Sequence, residues 1–254
     1  MKSSVTNIIE PVIFFAVLLI LWEILVELIQ VPAFILPPPG DLWMSFIKKL
    51  PILGHHSLIT FVEAGGGFAL SLVLGVTFAI AVVYSRHLQN TLYPLIVILY
   101  AMPKSAFAPL MVIWVGYGLT SKIAIAFLVA FFPIVVDTAT GLAATPPELL
   151  ELSRSYRASA FKTFVKVRFP MALPFFFSGL KVAITLAVIG AVVGEFIGSD
   201  RGLGYVILSA TSYWKTELAF ASMILLSLIA ILLFGAVCLV ERLVCPWLAP
   251  AAEE

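Results

Sequence analysis

Six long apolar runs constrain this chain more than any other feature of its sequence. Each run approaches the roughly 20 apolar residues that a helix needs to cross a bilayer. Of the 254 residues, 62% are hydrophobic and 11% are charged, whereas a soluble domain carries about 25% charged residues. We therefore predict an all-α polytopic membrane protein in which residues 1–254 form a single transmembrane domain. The six predicted transmembrane helices are residues 11–31, 58–84, 91–115, 122–142, 171–198 and 217–240.

The Lys and Arg residues of the loops predict the orientation of the chain. An even number of spans places both termini on the same side of the membrane. With cytoplasmic termini, the inside cations are Lys2, Arg86, Arg154, Arg157, Lys162, Lys166, Arg168 and Arg242, and the outside cations are Lys48, Lys49, Lys122, Arg201 and Lys215. More of these cations lie inside than outside, as the positive-inside rule expects.

The first apolar run contains Glu23 and Glu27 and ends without a small-residue cleavage site, so we interpret it as a retained span and not as a signal peptide.

The loop at residues 32–57 is predicted to be periplasmic and to contain a short interfacial helix. Its start, Leu-Pro-Pro-Pro-Gly-Asp at residues 36–41, cannot continue a helix and places Asp41 where it can cap a new one. The apolar residues that follow share one face beside two lysines, which is typical of a helix in a membrane interface. These residues are Leu42, Trp43, Phe46, Ile47 and Leu50, with Lys48 and Lys49. Such a helix either anchors the loop or contacts an external partner.

The predicted cytoplasmic loop at residues 143–170 carries the most information about function. Its segment Thr145-Pro146-Pro147-Glu148 has the spacing of a capping box and predicts that a helix starts there. A second helical stretch is predicted from about Phe161. Five cations and several leucines on so short a segment suit docking to a protein, and the alternative is a solvated loop held by anionic lipid.

The same loop resembles the Glu-Ala-Ala motif of bacterial ABC importer permeases. Glu151-Leu152-Ser153 is followed after three residues by Arg157, and after nine more by Val167-Arg168-Phe169-Pro170. The family pattern is Glu-Ala-Ala, three residues, Gly, nine residues and Ile-x-Leu-Pro, so the register fits although the alanines and the glycine are replaced. Glycine permits a turn with positive φ, which arginine adopts at a cost of about 1 kcal/mol or more. We therefore expect Arg157 at or near a turn that ends a helix.

Four further segments resemble the permeases of the sulfonate, taurine and nitrate importer group. They are residues 60–68, 102–110, 113–118 and 190–204. Within that group they are most similar to the branch that serves thiamine-pyrimidine precursors, riboflavin and aromatic carboxylates, and the resemblance covers roughly residues 10–245. It implies a type I ABC importer permease fold in the bacterial cytoplasmic (inner) membrane, with a cytoplasmic coupling helix between helices 4 and 5.

The resemblance also implies partners. Two copies of the chain would form one pathway for a small organic nutrient, heterocyclic, aromatic or anionic, which a periplasmic substrate-binding protein delivers. Each copy would dock on a cytoplasmic ABC ATPase subunit, two per complex. The implied coupling residues are Glu148, Leu149, Glu151, Leu152, Ser153, Arg154, Tyr156, Arg157, Ala158 and Ser159. The sequence contains no Gly-Lys dipeptide and hence no P-loop lysine, so we expect no enzymatic activity and no cofactor of its own, with ATP and Mg bound by the ATPase.

Ionisable residues inside spans are expensive and are therefore candidates for function. The candidates for the translocation pathway or its gate are Met102, Lys104, Glu195 and Arg201. Pro103 precedes Lys104, so the third span is predicted to be kinked or broken, and the alternative for Lys104 is a structural role beside freed carbonyl groups. For Glu195 the alternative is a structural hydrogen bond.

The fifth predicted span carries a ridge of small residues, Gly190, Gly194 and Gly198, at four-residue spacing. Such a ridge lets another helix backbone approach closely, and packing within the subunit and packing across a dimer are both compatible with it. Lys181 on the same span is expected to snorkel towards the inside. The following loop, residues 199–216, is predicted to be periplasmic, and its first part, residues 199–205, is a candidate for an external gate.

Other classes of function fit less well. A net charge of +1 without a basic stripe argues against nucleic acid. The three histidines have no metal-ligand spacing with other ligands, so neither a metal site nor a catalytic site is predicted. An ion-coupled secondary transporter would use Glu23, Glu27 or Glu195 but often shows inverted repeats, which this sequence lacks. A purely structural membrane protein would need no charges along a pathway.

Overall fold

The computed structural model describes residues 2–248, and the side chains of residues 9–247. In this range the chain is helical and contains no strand. The helices are α1 (Lys2–Ile29), α2 (Pro39–Tyr84), α3 (Arg86–Ala101), α4 (Ala108–Val115), α5 (Leu119–Ala143), α6 (Pro147–Ser155), α7 (Ala160–Thr163), α8 (Phe169–Gly198), α9 (Leu203–Ser212) and α10 (Thr216–Val244).

Five of these helical segments are long and apolar enough to cross a membrane: the spans within α1, α2, α5 and α10, and the continuous helix from Ala160 to Gly198. The break predicted in the third apolar run is present. It divides into α3 and a second segment, Lys104–Val115, which are bent by 90° relative to each other. The described part of the chain therefore has six spans when this bent pair is counted as one. Pro103 explains the break because it cannot donate a backbone hydrogen bond.

The centre of the bundle is formed by α2, α5 and α8. Glycines allow these helices to approach closely at Ala126 of α5. A Cβ added at Gly67 of α2 would lie 2.4 Å from the Cβ of Ala126, and one added at Gly190 of α8 would lie 2.8 Å from its Cα. Close backbone approach over small residues is a usual means of packing helices in a bilayer, where apolar burial drives association only weakly. α1 is largely exposed and packs loosely on α2.

The expected short interfacial helix does not exist as a separate element. α2 runs continuously from Pro39 through Pro51 to Tyr84, so residues 39–57 are the first part of a 46-residue helix. The predicted capping role of Asp41 is also wrong, because it lies in the first turn and α2 begins after Pro38 with no side-chain cap from that residue. Instead, Glu23 of α1 accepts a hydrogen bond from the backbone N–H of Gly40, at 3.2 Å. A carboxylate is favourable there because the first amides of a helix lack intrahelical acceptors.

Candidate functional site

The helix predicted in the loop at residues 143–170 is present as α6. It starts at Pro147, as expected from the two prolines, but not through the predicted capping box. The Thr145 hydroxyl donates to the carbonyl oxygen of Leu142 at 3.3 Å and caps nothing in α6. The second stretch starts at Ala160, and its N-cap is Ser159, whose side chain accepts a hydrogen bond from the backbone N–H of Lys162.

Arg157 has the left-handed backbone conformation expected from the glycine position of the motif, with φ of 52°. Its N–H donates to the carbonyl of Arg154 at 2.8 Å, and the N–H of Ala158 donates to the carbonyl of Ser153 at 3.0 Å. These two bonds form a Schellman motif, which satisfies the last free carbonyls of a helix. The position of the helix end is therefore confirmed, even though a side chain other than glycine occupies the turn.

The segment around this turn presents large apolar side chains to its surroundings. Tyr156 is 80% exposed, Phe161 is 76% exposed and Leu152 is 53% exposed. Arg154 and Arg157 flank the turn. None of the helical residues of α6 is buried within the chain. An exposed aromatic and aliphatic cluster next to cations is typical of a surface that another protein covers.

A second group of residues with functional features surrounds the start of α9. Three side chains accept the first free amides of this helix, and all three come from other helices. The N–H of Gly202 donates to His56 Nδ1 at 3.0 Å, that of Leu203 to Thr60 Oγ1 at 2.9 Å, and that of Gly204 to Glu195 Oε2. These three hydrogen bonds fix the N-terminus of α9 to α2 and α8 near one end of the bundle. α9 itself spans ten residues, which is too few to cross a bilayer.

Glu195 is the centre of this arrangement. It is 1% exposed, and its other oxygen, Oε1, accepts a hydrogen bond from the Thr60 hydroxyl at 2.6 Å. Both carboxyl oxygens therefore have donors. These are structural hydrogen bonds of the kind that the sequence allowed for Glu195, and its role in the gate or pathway stays a prediction.

Lys122 lies beside this arrangement and joins three parts of the chain. Its Nζ is 3.4 Å from Oε1 of Glu63 on α2, and it donates to the hydroxyl of Ser199 after α8. The Lys122 and Glu63 side chains are 5% and 1% exposed. The sequence analysis counted Lys122 as an outside cation at the start of the fourth span, whereas α5 begins at Leu119 and packs Lys122 inside the bundle.

The other predicted pathway residues lie apart from this cluster or at its edge. Lys104 sits at the break between α3 and α4, where its ammonium donates to the carbonyl of Tyr100, and its Nζ lies 4.5 Å from the centre of the Tyr100 ring. This is the contact with a freed carbonyl that the sequence allowed as its structural role. Met102 is exposed at the same break. Arg201 is exposed on the segment that leads into α9 and lies 3.4 Å from Asp200.

The glycine ridge of α8 faces α5 and the segment before it. Added Cβ atoms at Gly190, Gly194 and Gly198 would lie within 2.8–3.2 Å of Ala126, of Lys122 and Ile125, and of Tyr117, respectively. The ridge is used for packing within one chain, which was one of the two arrangements compatible with the sequence.

Several charged residues inside the helix bundle were not identified as candidates from the sequence. Glu63 and Asp137 lie inside predicted spans, so the rule that intramembrane charges are candidates would have found them. No such signal in the sequence indicated the partner of Lys181. Its Nζ lies 2.5 Å from Oε2 of Glu241 on α10, so Lys181 forms an ion pair between α8 and α10.

Comparison with known proteins identifies the relatives of this chain. The family model described as "Binding-protein-dependent transport system inner membrane component" matches residues 71–250. The chain is 36% identical to the formylaminopyrimidine transport permease protein ThiX of Halalkalibacterium halodurans, over 94% of this chain and 95% of that protein. It is 37% identical to the riboflavin transport system permease protein RibX of Chloroflexus aurantiacus, over 91% and 87%. A probable ABC transporter permease protein of Haemophilus influenzae is 35% identical over 91% and 94%.

Solved structures give the same fold. An inward-facing structure of the MetNI methionine ABC transporter contains a chain that superimposes with a TM-score of 0.67 at 20% identity. The match covers 78% of this chain and 98% of that chain.

Proposed function

The chain belongs to the family of binding-protein-dependent transport system inner membrane components, and we propose that two copies of it form the translocation pathway of an ATP-driven importer. It is an ABC importer permease subunit for small nutrients, a multi-pass protein of the inner membrane with a type I importer fold. The hydrolysis of ATP belongs to a separate ATPase subunit of such a transporter. A periplasmic binding protein delivers the substrate.

The proposed substrate is a small organic nutrient with a heterocyclic or aromatic body. The support comes from the names of the relatives, two of which are permeases for formylaminopyrimidine and for riboflavin. Other relatives are named for aliphatic sulfonates and for taurine, at 32% and 28% identity. Aliphatic sulfonates are anions, and the relatives named for them are less similar to this chain than the two named for heterocycles.

The surface around α6 is the observation that carries the proposed coupling role. Leu152, Tyr156 and Phe161 are exposed around the Schellman turn, and the motif register places Glu151 as the family acid. On the proposed topology this surface is cytoplasmic and each copy inserts it into a groove on one ATPase subunit. Closure of the two ATPase subunits would then move the α6 segments, and the rigid helix from Ala160 to Gly198 would carry that movement across the membrane.

The opposite end of α8 leads into the proposed external gate. In this proposal residues 199–204 form the moving part, and Glu195 holds them by accepting the N–H of Gly204. Met102, Lys104 and Arg201 are then the candidates for side chains along the pathway. The ATPase can open or close such a gate only if its nucleotide states interact with different free energies with the open and the closed permease.

The test is co-purification of the tagged chain with its cognate ATPase from membranes. We expect Tyr156→Asp to abolish co-purification, because a charge would enter the centre of an apolar contact. The matched control is Tyr213→Asp, which changes a tyrosine of similar exposure, 71%, after α9. It should leave co-purification intact. Retention of the ATPase by Tyr156→Asp, or by a chain with residues 145–160 deleted, would contradict the coupling role.

A further inference from the structure

A polar cavity lies between the first part of α2 and the start of α10. Its volume is about 280 Å³. Sites for whole drug-sized molecules begin at roughly 300 Å³, so this cavity suits a small polar group that belongs to a larger molecule. The residues that line it are Asp41, Met44, Ser45, Lys48 and Lys49 of α2 and Glu217 of α10.

The cavity lies where two apolar spans end. The hydroxyl of Thr216, the first residue of α10, donates to the carbonyl oxygen of Phe34 at 2.5 Å, shortly after the end of α1. Glu217 of the cavity is the next residue. Exposed tryptophans, Trp43 and Trp214, lie on the same segments, and tryptophan is enriched where the hydrocarbon meets the headgroups. The cavity therefore lies at the level of the lipid headgroups.

The charges around the cavity are balanced and unpaired. Two ammonium groups, of Lys48 and Lys49, and two carboxyl groups, of Asp41 and Glu217, line it. Among the side chains that the structure describes, none of the four takes part in an ion pair. A lone anion would leave the carboxyl groups uncompensated, and a lone cation would leave the lysines uncompensated. The cavity therefore matches a ligand that carries one group of each sign.

Ser45 is a second and independent sign of a ligand. It lines the cavity, is 6% exposed, and its hydroxyl has no hydrogen-bond partner among the described residues. A serine inside a helix can donate to the carbonyl oxygen four residues earlier, as Ser71 does to Gly67. A buried hydroxyl without a partner is costly, and a phosphate oxygen bound in the cavity would accept from it.

We propose that this cavity binds the headgroup of a membrane phospholipid that carries both a phosphate and a primary ammonium group, as in phosphatidylethanolamine. The two lysines bind the phosphate oxygens, and the two acidic residues accept hydrogen bonds from the ammonium N–H groups. The position at headgroup level assigns the ligand to a lipid and not to a soluble zwitterion. The proposal goes beyond the proposed function and does not depend on it.

The test is native mass spectrometry of the full chain in detergent with three lipids of identical acyl chains: phosphatidylethanolamine, phosphatidylcholine and phosphatidylglycerol. We expect phosphatidylethanolamine to bind at least about tenfold more tightly than phosphatidylcholine, whose quaternary ammonium has no N–H to donate. It should also bind more tightly than phosphatidylglycerol, which lacks the cation. Equal binding of phosphatidylethanolamine and phosphatidylcholine, or tighter binding of phosphatidylglycerol, would overturn the proposal.

Charge variants of the cavity assign the two halves of the headgroup. Asp41→Asn combined with Glu217→Gln should abolish the preference over phosphatidylcholine. The matched control is Glu27→Gln, at an exposed position of α1, which should keep that preference. An unchanged preference in the double variant would show that these carboxyl groups do not bind the ammonium.

Lys48→Gln combined with Lys49→Gln should weaken binding of phosphatidylethanolamine at least about tenfold. Its control is Lys162→Gln, at an exposed position outside the cavity, which should leave the affinity unchanged. Unchanged binding in the double lysine variant would contradict the phosphate contact.

A third variant closes the cavity without changing its charge. Met44→Trp fills it from a wall residue that is 56% exposed and should weaken binding, whereas Ile47→Trp, at a 54% exposed position that does not line the cavity, should not. Free phosphoethanolamine added at the lipid concentration should displace nothing, because it lacks the acyl chains. Displacement by it, or unchanged binding in Met44→Trp, would overturn the lipid site.

Discussion

Gly202 lies directly against the carboxyl group of Glu195: a Cβ at position 202 would be 2.0 Å from Oε1 and 2.2 Å from Cδ. The φ of Gly202 is 94°, in a region that other residues rarely adopt. Gly202 is also the N-cap of α9, so its backbone must pass the carboxylate for the amide of Gly204 to reach it. Glycine is therefore required here by close approach and by backbone conformation together.

Gly202→Ala should destabilise the protein by at least about 2–3 kcal/mol, since it adds both a clash and backbone strain. The measurement is thermal unfolding of the purified chain in detergent. Gly235→Ala is the matched control because no heavy atom lies within 4 Å of a Cβ added at that position of α10. Equal melting temperatures for the two variants would show that the backbone at position 202 is not held as described.

Lys122→Met should be more destabilising than Glu63→Gln. The first variant leaves the two buried carboxyl groups without a cation, which is expected to cost about 3–5 kcal/mol. The second leaves one carboxyl and one ammonium group, and Lys122 keeps its bond to Ser199, so we expect a loss of about 1 kcal/mol. Chemical denaturation in the same detergent measures the free energy of unfolding of both variants. A larger loss in Glu63→Gln than in Lys122→Met would contradict Glu63 as the main partner of Lys122.

Arg157→Gly should preserve ATPase docking and raise stability by about 1 kcal/mol, because glycine adopts a φ of 52° without strain. Arg157→Pro should disrupt docking, since proline fixes φ near −65° and removes the N–H that donates to Arg154. Binding of the purified ATPase to each variant in nanodiscs provides the comparison. If both variants bind equally well, the turn is not needed for docking.

Exchanging the charges of Lys181 and Glu241 should restore most of the stability that either single reversal removes. Each reversal places two like charges at the contact between α8 and α10, where the side chains are 30% and 19% exposed. A double-mutant cycle of Lys181→Glu and Glu241→Lys, followed by thermal unfolding, should give a coupling free energy of about 1 kcal/mol. Additive effects of the two reversals would argue against the pair.

The elements that could be predicted from the sequence are those with local signals. The run of prolines before Gly40, Pro103 in the third span and Pro147 at the start of α6 each marked a helix boundary that the structure contains. The register of the motif likewise predicted the turn at Arg157. The helix-capping roles predicted for Asp41 and Thr145 were wrong. A side chain caps a helix only where no other hydrogen-bond partner takes its place. In the case of α2, Glu23 occupies the place expected for Asp41.

The sequence by itself determined that this chain crosses the membrane repeatedly, and where several of its helices start or end, because apolar length and helix-ending residues act over short stretches of chain. The tertiary structure decided the partners of the buried charges: Thr60 with Glu195, Glu63 with Lys122, and Lys181 with Glu241. These residues are far apart in the chain, and each pairing depends on how a helix is rotated about its own axis. A lipid-facing side of a helix is as apolar as a buried side, so periodicity in the sequence carries little information on that rotation.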